Sequence, residues 1–158
     1  MGILIEDRQN RHRIDQHEIR KKAEIILDTL GSPDGELSIL IVSDEEMEGL
    51  NKIYLDRPGP TNVIAFPMRE GPFDNVNPNL LGDVVISSDT AAREALNAGM
   101  TTEARFDQLL IHGILHLFAF DHEQTSEQAE AMRIKEEQLL ELLEGSSQLF
   151  NHSTVNVT

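Results

Sequence analysis

The chain has 158 residues, 39% of them hydrophobic, no cysteine, and 28 acidic against 13 basic residues for a net charge of −15. That composition suits one globular domain rather than a disordered chain. It excludes disulfides and thiolate metal ligands, leaving His, Asp and Glu as the strong donors, and it works against non-specific nucleic-acid binding, so a polyanion must enter through a locally basic cleft.

In chain order, Ile3 to Glu6 reads as a short strand, followed by a helix from near Asp15 to Leu30 with Asp15 as its cap, Glu18 three residues on, and Gly31 as its stop. Leu37 to Val42 is aliphatic and β-branched and reads as a strand. Ser43 with Glu46 opens a second helix running to about Tyr54, and Asp56-Arg57-Pro58-Gly59-Pro60 then breaks regular structure. Asn62 to Phe66 is a third strand, Pro67 to Leu81 a long loop of the kind that often serves function, and Gly82 to Ser87 a fourth strand. Helices follow from about Ser88 to Ala98, stopped by Gly99, from Thr101 or Thr102 onward, and from a Thr125–Gln128 cap to Gly145. The expectation is a single α+β domain over residues 1–145, with about four strands in a mixed sheet packed by about five helices, and a disordered polar tail over 146–158.

On the last helix, Glu127, Glu130, Glu136, Glu137, Glu141 and Glu144 read as a solvated outer face, with Met132, Leu139, Leu142 and Leu143 as its packing side. His12, His17 and His152 are isolated and read as surface residues. No apolar run approaches membrane-spanning length and the first residues lack the form of a signal peptide, so the expected protein is soluble and cytoplasmic with no membrane partner. Asn151-His152-Ser153 and Asn156-Val157-Thr158 match the glycosylation acceptor pattern and are read as chance.

The chemistry concentrates in Ile111-His112-Gly113-Ile114-Leu115-His116-Leu117-Phe118-Ala119-Phe120-Asp121-His122. His112 and His116 are one helical turn apart on one face, whereas His122 converges with them only if the chain turns after Leu117. Three neutral imidazoles with a fourth position open are the donor set of a catalytic zinc site. The helix is otherwise apolar all round and is expected to be buried, where two unpartnered imidazoles would be costly and a metal would satisfy both. Gly113 costs about 1 kcal/mol of helix propensity relative to alanine, so a strand or a substrate is expected to come close there. Helical zinc proteases place Glu directly after the first His as their base; here that residue is Gly113, which argues against peptide hydrolysis by that route.

These segments together resemble the YbeY family of bacterial metal-dependent endoribonucleases and ribosomal RNA maturation factors. The family pattern has Asn-x-x-Tyr-Arg, then Asp-x-Pro-Thr-(Asp/Asn)-Val-Leu-Ser-Phe-Pro, then Leu-Gly-Asp-(Ile/Val)-x-Ile, and ends in His-Gly-x-Leu-His-Leu-x-Gly-(Tyr/Phe)-Asp-His. This chain supplies Leu50-Asn51-Lys52-Ile53-Tyr54, Pro60-Thr61-Asn62-Val63-Ile64-Ala65-Phe66-Pro67, Leu81-Gly82-Asp83-Val84-Val85-Ile86-Ser87 and the histidine run. It departs from the pattern at Leu55, where the family has its cleavage-associated arginine, and at Pro58, Ala65 and Ala119.

The resemblance implies an endoribonuclease with His112, His116 and His122 holding one Zn²⁺ per chain, although imidazole suits Ni²⁺ equally. It also implies ribosomal RNA and the small ribosomal subunit as partners, in rRNA maturation and ribosome quality control. Asp121 orients a ligand, acts as a proton acceptor, or merely caps the turn; Arg57, two residues past Leu55, is the candidate replacement for the missing arginine, and Lys52 and Arg69 are further candidates for RNA contact. Two other readings stand beside this one: a non-catalytic ribosome-assembly factor with a structural metal, and a metal hydrolase on another substrate.

Overall fold

The computed structural model describes residues 2–68, 79–118 and 125–157, with side chains described as far as residue 145. Nine elements follow in order: β1 (Ile3–Asp7), α1 (Gln16–Thr29), β2 (Glu36–Val42), α2 (Asp44–Leu55), β3 (Val63–Pro67), β4 (Leu80–Ser87), α3 (Ser88–Ala98), α4 (Thr102–Leu117) and α5 (Ser126–Val157). The four strands form one sheet in the order β1-β2-β4-β3. The first three are parallel and β3 runs antiparallel to β4, so the sheet is mixed and the fold is α+β as expected.

Local chemistry accounts for the helix starts. Asp15 accepts from the backbone N–H groups of His17 and Glu18, Ser43 from Glu46, Ser87 from Thr90 and Thr101 from Ala104. Each of these bonds satisfies a donor that the first helical turn leaves unpaired. Thr125 and Gln128 exchange bonds as a reciprocal box, the Thr125 N–H donating to Gln128 Oε1 at 3.0 Å and the Gln128 N–H to Thr125 Oγ1 at 3.1 Å. α3 stops at Gly99, whose φ of 69° is the left-handed cap conformation.

The starts of α2 and α3 also bond to each other. Asp89 Oδ2 accepts the Asp44 backbone N–H at 2.9 Å, while Asp44 Oδ1 accepts from Ser87 Oγ at 2.7 Å and Thr90 Oγ1 at 2.6 Å. Arg11 Nη1 and His12 Nε2 each reach Asp89 at 2.9 Å, so His12 is a half-buried partner of this network rather than an isolated surface residue.

One face of the sheet carries the main core. There Ile3, Ile5, Leu37, Ile39, Ile41, Val84 and Ile86 meet Ile26 and Leu27 of α1, Leu110, Ile111, Ile114 and Leu115 of α4, and Met132, Leu139 and Leu143 of α5. The other face packs α2 through Met47 against Val42, Ile64 and Val85. A strand covered on both faces has no side for polar residues, which is why β2 and the end of β4 read as near-continuous apolar runs.

Two boundaries differ from the sequence reading by more than one residue. β4 begins at Leu80, because Glu36 pairs with Leu80 before the register shifts to Leu37 opposite Gly82. Gly82 sits there at φ 141°, and a Cβ on it would lie 2.2 Å from the Phe66 carbonyl oxygen, so only glycine fits this bulge. α5 continues past Gly145 to Val157 instead of ending at that glycine. Gly145 does not take the positive φ of a helix stop, and a helical glycine costs about 1 kcal/mol without obliging the helix to end.

Candidate metal centre

α4 lies on the sheet with nearly every side chain from Phe106 to Leu117 buried. The exceptions fall in one row. Arg105, Gln108, His112 and His116, spaced by three, four and four residues, are half-buried and line a single stripe along the helix. Gly113 shows why α4 sits so close. A Cβ there would lie 2.6 Å from Val84 Cγ1 and 3.1 Å from Val63 Cγ2. The element that approaches Gly113 is therefore the β4–β3 edge of the sheet.

At the C-terminal end of the stripe the two imidazoles face each other. Their Nε2 atoms are 2.7 Å apart, with ring centroids 4.2 Å apart and planes inclined by 60°. The helix is buried as expected, but the rings are not, since the His112 side chain keeps 43% of its surface exposed. The reason is helical geometry: sheet and α5 cover most of α4 and leave one stripe open, and the histidines occupy it.

The other ring nitrogen of His112, Nδ1, lies 2.7 Å from Glu136 Oε1 on α5. With Nδ1–H donated to that carboxylate, the Nε2 of His112 keeps its lone pair toward His116. Glu136, read from the sequence as part of the solvated outer face, is half-buried at the edge of the packing side, four residues after buried Met132 and three before buried Leu139, with 34% of its side chain exposed. Leu142, assigned to the packing side, is 46% exposed. The signal that separates them was present in the spacing of Met132, Leu139 and Leu143, a row that passes through position 136 and not 142.

Among the described residues, no group of three His, Cys, Asp or Glu side chains is placed to hold a metal ion. His122, Asp121 and Arg69 lie outside the described residues, as does Ala119. α4 does end at Leu117, where convergence of a third histidine requires the chain to turn. The donors that are described suit a divalent ion: two imidazole nitrogens directed at one another, one backed by a carboxylate, which is the usual support of a metal-ligating histidine.

His112 opens on a cleft of about 420 Å³ between α4, α5 and the start of β3, lined also by Asn62, Arg105, Gln108 and Arg133 and by the carboxylates Glu136 and Glu137. Arg105 is held in place by Glu94, its Nε donating to Oε1 at 3.0 Å, and by Gln108, its Nη1 donating to Oε1 at 2.7 Å. Arg133 is more exposed, and its bonds to Glu130 and Glu137 raise its pKa further above the ordinary guanidinium value.

Arg57 and Lys52 lie elsewhere. They line a separate depression with Glu48, Asp56 and Gly59, at the end of α2 on the opposite face of the sheet. Buried Asn51 ties that loop back, donating from Nδ2 to the Gly59 carbonyl at 2.9 Å and accepting the Arg57 N–H on its own carbonyl at 3.3 Å. The Asn51 Oδ1 has no hydrogen-bond partner among the described residues. The structure does not bring Arg57 into the cleft lined by His112.

A four-stranded mixed sheet with a histidine-bearing helix across it makes the class α+β, and sequence comparison makes it a nuclease. A family profile described as Endoribonuclease YbeY matches residues 4–144. An Endoribonuclease YbeY from Geobacter sulfurreducens is 48% identical over 145 residues, covering 91% of this chain and 97% of that one. One from Aquifex aeolicus is 39% identical over 141 residues, covering 89% and 91%. A solution structure from Thermotoga maritima matches with a TM-score of 0.66 at 22% identity, over 92% of this chain and 91% of that one, a likeness that bears on the fold. The chain belongs to the endoribonuclease YbeY family.

Proposed function

We propose that the chain is a metal-dependent endoribonuclease acting in the cytoplasm on ribosomal RNA, in maturation of the small ribosomal subunit and in ribosome quality control. His112, His116 and His122 would hold one Zn²⁺, with Ni²⁺ equally suited to imidazole. The chemistry such an ion supplies is polarisation of a phosphoryl oxygen and acidification of a water toward a pKa of about 7. The observation that carries the reading is the pair of Nε2 atoms facing each other at 2.7 Å beside a cleft flanked by Arg105 and Arg133.

The chain's own residues then divide the work. His112 and His116 present their nitrogens from a helix that cannot shift without unpacking the sheet. Arg105 and Arg133 would offer guanidinium groups to the RNA backbone, but Glu94, Glu130 and Glu137 already pair with them and Glu136 and Glu137 line the same cleft. The excess positive charge that a chain of net charge −15 needs for a polyanion would therefore come from the metal ion. Asp121, adjacent to His122, orients that imidazole or accepts a proton. Arg57, the candidate for the family arginine that Leu55 replaces, lies across the sheet from His112, so its charge-assisted bonding would be to RNA phosphates away from the histidines.

The test is cleavage of purified ribosomal RNA precursor by the wild-type protein and by His116→Ala, prepared side by side with metal restored, followed by end mapping. Cleavage by wild type alone supports the reading, and a cyclic phosphate at the new end would name the RNA 2′-OH as the nucleophile. Equal cleavage by both, or none by either, refutes it for the isolated chain. Leu55 favours one second reading, a non-catalytic assembly factor; binding to ribosomal particles without cleavage is its signature.

A further inference from the structure

Glu136 stands where an apolar residue is expected. Met132, Glu136, Leu139 and Leu143 follow one another along α5 at spacings of four, three and four, and the other three are 6%, 0% and 1% exposed. The Glu136 side chain is itself 34% exposed on the cleft, so the row places this carboxylate at the edge of the packing side, within reach of α4, rather than in the core. Its partner is not a nearby arginine: Arg133 bonds to Glu130 and Glu137 on the solvent side of the same helix. It is the Nδ1 of His112, 24 residues away on α4, at 2.7 Å.

We infer that Glu136 is the positioning residue of the histidine site. It accepts the Nδ1–H of His112, which fixes the tautomer whose Nε2 lone pair points at His116 and stops a ring with 43% of its side chain exposed from turning toward solvent. The inference rests on the three-histidine reading and adds to it a residue from a different helix. α4 and α5 lie on either side of residues 119–124 in the sequence, so the bond also ties together the two helices between which His122 falls. Metal binding and the seating of α5 are therefore linked: each favours the other by the same factor.

The experiment uses the full chain and three substitutions, Glu136→Leu, Glu136→Gln and Glu136→Ala. Leucine completes the apolar row, so it separates positioning from packing. The Glu136→Leu protein is expected to be at least as resistant to urea as wild type, yet to bind Zn²⁺ about 10- to 100-fold more weakly in competition with a chromogenic chelator. Glutamine keeps an acceptor oxygen and is expected to fall between wild type and alanine. Nitrogen-15 shifts of the imidazoles, read in metal-free protein, are expected to show His112 protonated at Nδ1 in wild type and mixed between the two nitrogens in the leucine and alanine variants.

Zinc affinity and His112 tautomer both unchanged in Glu136→Leu would overturn the inference. Should the leucine variant fail to fold, Glu136→Gln and Glu136→Ala carry the same two readouts. A wild-type chain that binds no Zn²⁺ would refute the metal site itself, and the tautomer measurement would still decide what Glu136 does to His112.

Discussion

Replacing Gly113 with alanine adds a single methyl group, and two effects of opposite sign can be weighed. As a helical residue, alanine is better than glycine by about 1 kcal/mol. The new Cβ, however, would lie 2.6 Å from Val84 Cγ1 and 3.3 Å from Val84 Cγ2, with Val63 Cγ2 at 3.1 Å. Carbon atoms prefer about 3.5–4.0 Å, so the overlap is on the order of 1 Å. Val84 is fully buried and β-branched, with little freedom to swing away. α4 must lift off the sheet or the valine must leave its rotamer, and overpacking of this kind costs about 1–3 kcal/mol. The expected net result is a loss of about 1 kcal/mol, measured by urea unfolding followed in the far-ultraviolet with the m-value unchanged. Val84→Ala alone should cost about 2 kcal/mol by opening a gap. In the double variant the added methyl fills part of that gap, so the two changes should couple favourably by about 1 kcal/mol. A Gly113→Ala protein more stable than wild type, with costs that simply add to those of Val84→Ala, would refute the close approach of helix and sheet.

Two further predictions concern acid stability. Burial pushes the Asp107 carboxyl up to about 6, against the hydrogen bonds and charge of Lys22, whose Nζ lies 2.9 and 3.1 Å from its two oxygens. A folded-state pKa above the unfolded value of about 3.9 means that folding takes up a proton, so this contribution is full below about pH 4 and lost as pH rises through about 6. At about 1.4 kcal/mol per unit, the stability difference between wild type and Asp107→Asn should move by about 3 kcal/mol toward the asparagine variant between pH 4 and 7; a flat difference in chemical unfolding would refute it. Asp89 behaves in the opposite sense. Burial alone would raise its pKa, but the Asp44 N–H, His12 and the charge of Arg11 together hold it below the ordinary carboxylate value. Its contribution is therefore present above about pH 3.9 and lost as pH falls through the depressed value. Asp89→Ala should cost about 2 kcal/mol at pH 7 and clearly less at pH 3, and an equal cost at both would count against the network.

Elements written in local code were legible in the sequence. Asp15, Ser43 with Glu46, Gly99, and Thr125 with Gln128 each mark a helix end through a bond to a residue within four positions, so no tertiary information is needed to read them. What depends on distant partners was not legible. The early start of β4 is set by Glu36, more than forty residues away, and the bonds of Asp44 to Ser87, Asp89 and Thr90 join two helix starts that look independent in sequence. At the site, the one-turn spacing of His112 and His116 fixed their common face, but which face stayed open depended on how α4 meets the sheet and α5. Glu136 was hidden by its company: in a helix rich in glutamate, composition suggests solvent, and only the row of Met132, Leu139 and Leu143 reveals that one of the carboxylates sits at the edge of the packing side, facing α4. Arg57 follows the missing arginine closely in sequence, yet Asn51 holds its loop against α2 on the far side of the sheet.

Arg105, Gln108, His112 and His116 belong to one straight helix whose remaining sides are locked into the core. At about 1.5 Å per residue their Cα atoms span roughly 16 Å, in rises of about 5 to 6 Å that side-chain motion does not alter. The stripe is a ruler of fixed pitch. A polymer laid along it cannot change the spacing of the backbone positions, so adjustment is left to side-chain rotation and to the polymer. Strands that bend freely meet the marks at little cost, whereas stiffly stacked ones must give up stacking to do so.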